Sequence, residues 1–141
     1  MTPDEIALVR EGFAMIAPDA ERIGMAFYER LFQADPSLRM LFRGDMRTQV
    51  GHLMGALTMV VRSLDNLGPI LTKIQTMGAR HAGYGVREEH FATVGGAFLG
   101  TLQAELGAAF TMPARAAWAE AYGVLAGAMI AAMHDAMPEA A

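Results

Sequence analysis

Apolar residues recur every three or four positions along most of this chain, which is the spacing of one face of an α-helix. The sequence lacks the long alternation of apolar and polar residues that is typical of a strand. The pattern therefore predicts an all-α fold. The predicted helices cover residues 3–16, 18–34, 46–64, 69–81, 88–106 and 113–136, with a short helical turn at 36–42.

Residues that favour helix ends lie at the predicted boundaries. Thr2, Pro3 and Glu5 form a start signal, in which a hydroxyl caps the helix, a proline occupies the first turn and an acid bonds back to the cap. The helix that carries His81 is expected to end at Gly83 and Gly85.

The composition is that of a globular protein. The chain has 141 residues, of which 53% are hydrophobic and 18% charged, and it contains no linker or repeat, so we expect one domain over residues 1–141. The net charge of -4 disfavours nucleic acid and anionic lipid as partners. Because the chain has no cysteine, disulfides, thiolate zinc sites and cysteine nucleophiles are excluded.

The N-terminal segment carries two early acids and no apolar run, so we expect no secretory signal and a cytoplasmic location. The longest strongly apolar stretch without charge, 121–133, falls short of the roughly 20 residues that span a bilayer. A buried helix, not a membrane anchor, is the expectation there.

His81 is the first candidate for chemistry. It lies on the last turn of its predicted helix, in line with Met77 and Ile74 on an apolar stripe. A buried imidazole needs a partner, and a backbone carbonyl or a carboxylate is the common one. A metal is the alternative, because haem iron accepts a single histidine as its only protein ligand.

Gln49, Leu53 and Leu57 lie at successive turns on one face of another predicted helix, and Tyr28 lies one turn before Phe32. A buried tyrosine ordinarily bonds its hydroxyl to backbone. Together with His81, however, these residues would form a flat apolar slot. One wall would carry a basic nitrogen and the other two hydrogen-bond donors, which suits a disc-shaped cofactor with a polar ligand on its far side.

Four segments carry a resemblance to a known family: FYERLFQADPSLRMLF at 27–42, MGARHAGYGV at 77–86, HFATVGGAFLGTL at 90–102 and AWAEAYGVLAGAM at 117–129. With these segments the chain resembles bacterial single-domain globins. These include the globin domain of flavohaemoglobins and the free-standing globins of methane-oxidising and thermophilic bacteria, with neuroglobin a more distant relative. The resemblance implies the globin fold, a three-on-three helical sandwich that encloses one haem b.

By position, the resemblance implies that His81 binds the haem iron and that Phe42 packs on the haem face. It places Tyr28 and Gln49 on the distal side, where they would stabilise a bound gas, with Leu53 packing over that ligand. Further haem contacts implied by the resemblance are Met77, Tyr84, Val86 and Phe91.

Two more residues receive implied roles. Gly24 would let the second helix cross closely over the helix that carries Gln49. His52 would lie near a haem propionate, or else on the solvated surface. The remaining histidines, His90 and His134, are expected to be surface or hinge residues, and Trp118 and Tyr122 are expected to lie in the core.

The chain departs from flavohaemoglobins behind the predicted iron ligand. Those proteins have a hydrogen-bonded tyrosine and glutamate there, and the matching positions here are Phe91 and Asp135. Phe91 has no hydroxyl, so the same network cannot form. We therefore expect a globin without a flavin or nicotinamide domain, for which sustained turnover would need a separate reductase.

The expected function is reversible binding of O₂, and also of CO or NO. The alternatives are nitric oxide dioxygenation with an external reductase and a haem-based gas sensor. A helical bundle without haem, acting as an interaction module, also stays open.

Overall fold

The computed structural model describes residues 1–42 and 44–136, and within these ranges all regular structure is helical. The predicted all-α fold is confirmed. The helices are α1 (Pro3–Ile16), α2 (Ala20–Ala34), α3 (Met46–Arg62), α4 (Leu71–Gly83), α5 (Glu88–Leu106) and α6 (Met112–Ala136). Short 3₁₀ helices occur at Ala17–Asp19, Pro36–Leu41, Gly68–Ile70 and Gly107–Ala109.

Several helix ends differ from the predicted ones. Prolines begin 3₁₀ turns where α-helix was expected, so α2 starts at Ala20 after Pro18 and α4 starts at Leu71 after Pro69. Proline lacks a backbone N–H and suits a first turn, which accounts for both shifts. The predicted start of α1 is confirmed, because the Thr2 hydroxyl accepts a hydrogen bond from the backbone N–H of Glu5 at 3.2 Å.

The helix α6 lies at the centre of the fold and packs against α1, α4 and α5, while α2 packs against α5 and α3. Trp118, on the inner face of α6, is fully buried, as the sequence predicted. The close crossing of α2 and α3 at Gly24 is also confirmed: a Cβ atom at Gly24 would lie 2.6 Å from Cγ1 of Val50.

By length and composition α6 could cross a membrane, since Met112–Asp135 has a mean hydropathy of 1.3. The helix agrees with the predicted 113–136 to within one residue, and it is longer than the apolar stretch 121–133 inside it. It contributes Ala117, Trp118 and Met129 to the buried core. These contacts identify α6 as a core helix of the folded domain.

Arg10 connects α1 to the C-terminal end of α3. Its guanidinium donates hydrogen bonds to the carbonyl oxygens of Val61 and Arg62 at 3.2 and 3.0 Å, and it pairs with Asp65 at 2.9 Å. The last carbonyls of a helix have no partner within the helix, and a cation there also interacts favourably with the helix dipole. Arg10 therefore caps α3 from a neighbouring helix.

We expect Arg10→Met to lower the free energy of unfolding by about 1 kcal/mol, because two carbonyl oxygens lose a donor while the apolar part of the side chain is retained. Arg10 also lowers the pKa of Asp65, so that part of the stabilisation exists above the ordinary aspartate range and is lost as the pH falls. Urea titrations at neutral and acidic pH should show the difference from the wild type narrowing in acid. Arg115→Met is the control, and an equal loss in both variants would contradict the capping role.

Candidate functional site

A gap between α3 and α4 is the main feature of the candidate site. The helix α3 packs against α2 and α1, whereas α4 packs against α6, and the two helices do not pack closely on each other along their described lengths. Apolar side chains on the elements around the gap are half-buried where a closed core would bury them. They are Leu41, Phe42, Leu53, Leu57, Met77, Val86, Phe91 and Val94. We call this space the α3–α4 cleft.

His81 lies in the last turn of α4, and its ring is held by backbone. The Nδ1 atom lies 2.5 Å from the carbonyl oxygen of Met77, one turn earlier. Because a carbonyl oxygen only accepts, Nδ1 carries the hydrogen in this bond, and the neutral ring then has its lone pair on Nε2. We find no second hydrogen bond of this ring among residues 1–42 and 44–136. The common backbone partner is thus present, and one nitrogen is still available as a ligand.

The backbone around His81 is fixed on both sides. Its carbonyl oxygen accepts hydrogen bonds from the N–H groups of Tyr84 and Val86, each at 3.1 Å. Three residues before it, Gly78 lies against α6, where a Cβ atom would be 2.6 Å from the carbonyl oxygen of Met129. The close approach of α4 to α6 therefore sets the position of the imidazole.

Two aromatic rings lie beside the His81 ring. The ring centres of Tyr84 and Phe91 are 6.4 and 6.3 Å from that of the imidazole. Tyr84 is largely exposed, at 63%, whereas Phe91 is half-buried at the start of α5. Both rings thus lie beside the imidazole, and the contacts predicted for Tyr84, Phe91 and Met77 with a cofactor stay a prediction.

Tyr28 lies on α2 in an aromatic cluster with Phe27, Phe32 and Phe42, whose ring centres are 5.0, 6.0 and 5.2 Å from its own. The side chain is buried, and its hydroxyl forms no hydrogen bond with the part of the chain that the structure describes. Burial raises the pKa of Tyr28 to about 12, so the hydroxyl keeps its proton near neutral pH. The ordinary role of a buried tyrosine, bonding to backbone, is thus not observed here.

Gln49 and Leu53 lie one turn apart on α3, on either side of the contact that Val50 makes with Gly24. Leu53 packs against the cluster that contains Tyr28 and Phe42, and Gln49 is half-buried. The structure thus brings Tyr28, Phe42 and Leu53 together in one cluster. Gln49 directly precedes Val50, a member of that cluster, in the sequence. Its side chain forms no hydrogen bond with another described residue.

A family model for globins matches residues 25–129 of this chain. The chain belongs to the globin family. The relationship to bacterial single-domain globins and to the globin domain of flavohaemoglobins that was predicted from the sequence is therefore confirmed, as is the globin fold.

Curated relatives of this globin include a flavohemoprotein of Xylella fastidiosa, 33% identical over 128 residues, which cover 89% of this chain and 32% of that protein. The chain thus spans about a third of the length of such flavohemoproteins. Neuroglobin-1 of Oncorhynchus mykiss is 29% identical, with 92% of this chain and 90% of that protein covered.

Solved structures of similar fold include a bacterial globin from Campylobacter jejuni, with a TM-score of 0.84 at 23% identity over 95% of this chain and 97% of that one. An engineered carbene transferase from Rhodothermus marinus, assigned as a nitric oxide dioxygenase, has a TM-score of 0.87 at 27% identity. The aligned region covers 96% of this globin and 94% of that chain.

The residues of this globin fit haem, as judged from their own chemistry. A flat apolar group needs a slot with apolar walls. Its iron needs a neutral nitrogen as ligand, and a polar gas bound to the iron needs a hydrogen-bond donor. The α3–α4 cleft has half-buried apolar walls, His81 has an available Nε2, and the hydroxyl of the largely buried Tyr28 has no acceptor among the described residues. Membership of the globin family and the flavohemoprotein relatives likewise imply haem binding.

The other histidines have surface or structural positions. His52 is exposed on α3. The Nδ1 atom of His90 accepts a hydrogen bond from the backbone N–H of Arg87 at 2.9 Å and so caps α5, and His134 lies 3.1 Å from a carboxylate oxygen of Glu88. The surface or hinge roles expected for His90 and His134 are thus confirmed.

The region behind His81 contains a contact that sequence reasoning missed. Asp135 is exposed, and the neighbouring buried position on α6 is Met133. Tyr122, predicted only as a core residue, donates a hydrogen bond from its hydroxyl to the backbone carbonyl oxygen of Phe91 at 2.6 Å. The acceptor belongs to the backbone, so residue identities gave no signal for this bond.

Proposed function

We propose that this globin binds one haem b in the α3–α4 cleft through Nε2 of His81. We further propose that it reversibly binds O₂, and also CO or NO, on the side that carries Tyr28 and Gln49. One observation supports this most directly. The structure has an imidazole with one satisfied nitrogen on α4, and a largely buried tyrosine whose hydroxyl has no acceptor in residues 1–42 and 44–136. A haem with a bound polar gas would supply both missing partners: the iron for Nε2 of His81 and the gas for the Tyr28 hydroxyl.

A haem held by the single imidazole of His81 would supply an iron that can bind a diatomic gas. The bond from His81 Nδ1 to the Met77 carbonyl holds the ring in one tautomer and orientation and makes Nε2 more basic. Because α4 is fixed against α6 at Gly78, the nitrogen is preorganised. Met77 and Gly78 thus hold the His81 imidazole in a fixed orientation in the absence of a cofactor.

The side chains on the other wall act on the gas. The Tyr28 hydroxyl is protonated and largely shielded from water, so it would donate a hydrogen bond to a bound gas that carries partial negative charge. The Gln49 amide is a second possible donor. A donor in such a buried setting contributes about 1–3 kcal/mol, which corresponds to roughly five- to 150-fold in affinity. Phe42 and Leu53 restrict the access of water.

Absorption spectra of the haem-loaded protein test the proposal. Ferric, gas-free ferrous and CO-bound spectra should show a Soret band that shifts between the three states, with one haem bound per chain. A flat visible spectrum after reconstitution with haem would show that the cleft does not take the cofactor.

Nitric oxide dioxygenation is the second candidate, and the similarity to the Rhodothermus marinus protein favours it. That reaction converts NO, O₂ and one electron to nitrate; haem would supply the electron, and a separate reductase would have to return it. Stopped-flow mixing of the O₂-loaded protein with NO, followed by turnover with a generic reductase, distinguishes the two functions. Sustained nitrate formation would establish the enzyme, whereas a single slow turnover would leave gas binding as the function.

We expect Tyr28→Phe to accelerate O₂ dissociation about tenfold or more, because the variant keeps the ring in its aromatic cluster and removes only the donor. CO accepts hydrogen bonds weakly, so CO dissociation should change much less. Stopped-flow displacement of each gas measures both rates. Tyr84→Phe, at an exposed ring on the His81 side, is the matched control, and equal O₂ rates in the two variants would argue against a donor role for Tyr28.

A further inference from the structure

Two side chains of α6 reach the first turn of α5: the exposed His134, which lies 3.1 Å from the Glu88 carboxylate, and the largely buried Tyr122. The Tyr122 hydroxyl donates its hydrogen bond to the Phe91 carbonyl oxygen at 2.6 Å. The first turn of a helix has backbone N–H groups without partners inside the helix, so it opens more easily than the middle. A hydrogen bond from a neighbouring helix therefore restrains the position of the backbone most strongly at such a turn.

The Tyr122 ring is held independently of its hydroxyl. It packs against the α5 backbone at Gly95, where a Cβ atom would lie 2.7 Å from the ring atom Cε2, and its centre is 6.2 Å from that of Phe98 in a stacked arrangement. Burial raises the pKa of Tyr122, which keeps the hydroxyl a donor at ordinary pH. Removing the oxygen should therefore leave the ring in place and release only the Phe91 carbonyl.

Phe91 links this anchor to the candidate iron ligand. Its ring is tilted by 40° to the His81 imidazole, with 6.3 Å between their centres. The imidazole thus has three neighbours: the Met77 carbonyl at Nδ1, the Phe91 ring and the more exposed Tyr84 ring. Of these, only the Phe91 ring lies on α5, so a movement of the first turn of α5 would move it.

We propose that Tyr122 is a positioning residue for His81 and acts through Phe91. Its hydroxyl fixes the first turn of α5, the turn fixes the Phe91 ring, and the ring limits the rotation of the imidazole. The proposal rests on the proposed function in that the rotation matters because His81 binds iron. Side-chain chemistry alone does not reveal this role, because Tyr122 is linked to Phe91 through a backbone carbonyl oxygen.

A double-mutant cycle tests the proposal in the haem-loaded protein. The wild type, Tyr122→Phe, Phe91→Leu and the double variant are compared by resonance Raman spectroscopy of the gas-free ferrous state, in which the iron–imidazole stretching band reports the ligand's orientation. We expect Tyr122→Phe to shift or broaden this band, and to cause no further change when Phe91 is already leucine. Urea unfolding of the same four proteins should show that the loss of stability from Tyr122→Phe persists in the leucine background.

Thr101→Val is the matched control and should leave the band in place. It too removes a hydroxyl bonded to a backbone carbonyl oxygen of α5, that of Ala97 at 2.8 Å, but it lies about three turns further along the helix than Phe91. An unchanged band in Tyr122→Phe would overturn the proposal. So would an equal shift in the presence and absence of the Phe91 ring.

NMR of the His81 ring nitrogens in the haem-free chain gives a separate readout. Tyr122→Phe should change these signals, again only when Phe91 is present. If the wild type failed to bind haem, the proposed function would fall, and the NMR comparison would still decide whether Tyr122 positions His81.

Discussion

His81→Ala should abolish the spectrum of histidine-bound ferrous haem and weaken haem retention by at least tenfold. The imidazole supplies the one available nitrogen in the last turn of α4, and alanine leaves the apolar walls of the cleft intact but gives iron no protein ligand. Absorption titration with haem measures retention, and the gas-free ferrous spectrum reports the ligand. His134→Ala, at an exposed histidine paired with Glu88, is the control and should behave as the wild type.

Chemical rescue makes this experiment sharper. In His81→Gly the space of the ring is free, and added imidazole should restore the ferrous spectrum if the nitrogen is all that was lost. A wild-type spectrum in His81→Ala without imidazole would exclude His81 as the iron ligand. It would direct attention to another nitrogen or oxygen in the cleft.

Gly78→Ala should lower the free energy of unfolding by about 1–3 kcal/mol, although alanine favours a helix over glycine by about 1 kcal/mol. The added Cβ atom would lie 2.6 Å from the Met129 carbonyl oxygen and 2.9 Å from the Ala132 Cβ atom. Backbone on α6 cannot yield as a flexible side chain does, so α4 must move away and His81 moves with it. Urea unfolding measures the stability, and haem titration measures the expected loss of affinity.

Gly127→Ala is the matched control for this second prediction. Gly127 lies inside α6, and a Cβ atom there would meet nothing within 4 Å. Its substitution should therefore raise stability through helix propensity alone. Equal stabilisation by the two alanines would show that the crossing of α4 and α6 tolerates a side chain, which would contradict the close approach described above.

The helices were predictable because their information is local. The spacing of apolar residues and the caps of α1 lie within a few positions of each other in the chain, so the pattern alone gave Glu88–Leu106 with both ends correct. The starts of α2 and α4 were wrong because a proline fits a 3₁₀ turn as well as a first α-helical turn. Only the tertiary contacts of the residues after the proline distinguish a 3₁₀ turn from a first α-helical turn.

The contact that sequence reasoning missed depends on a backbone atom. The partner of the Tyr122 hydroxyl is a carbonyl oxygen, which every residue has, so no residue type marks it. For His81 a backbone carbonyl was one of the expected partners, and it is that of Met77. The α3–α4 cleft likewise results from how α4 packs on α6, which is set by the absence of a side chain at Gly78. By contrast, His81 and Tyr28 could be chosen from the sequence, because their polar groups interrupt apolar faces.

The bond between His81 and residue 77 has a practical consequence for redesign. Since the acceptor is a peptide oxygen, exchanging the Met77 side chain for a shorter or bulkier one leaves that acceptor in place. The floor of the cavity can thus be reshaped at this position while the tautomer of the metal-binding ring is preserved. Substitution of residue 77 can therefore change the volume of the pocket without changing the basicity of the His81 nitrogen.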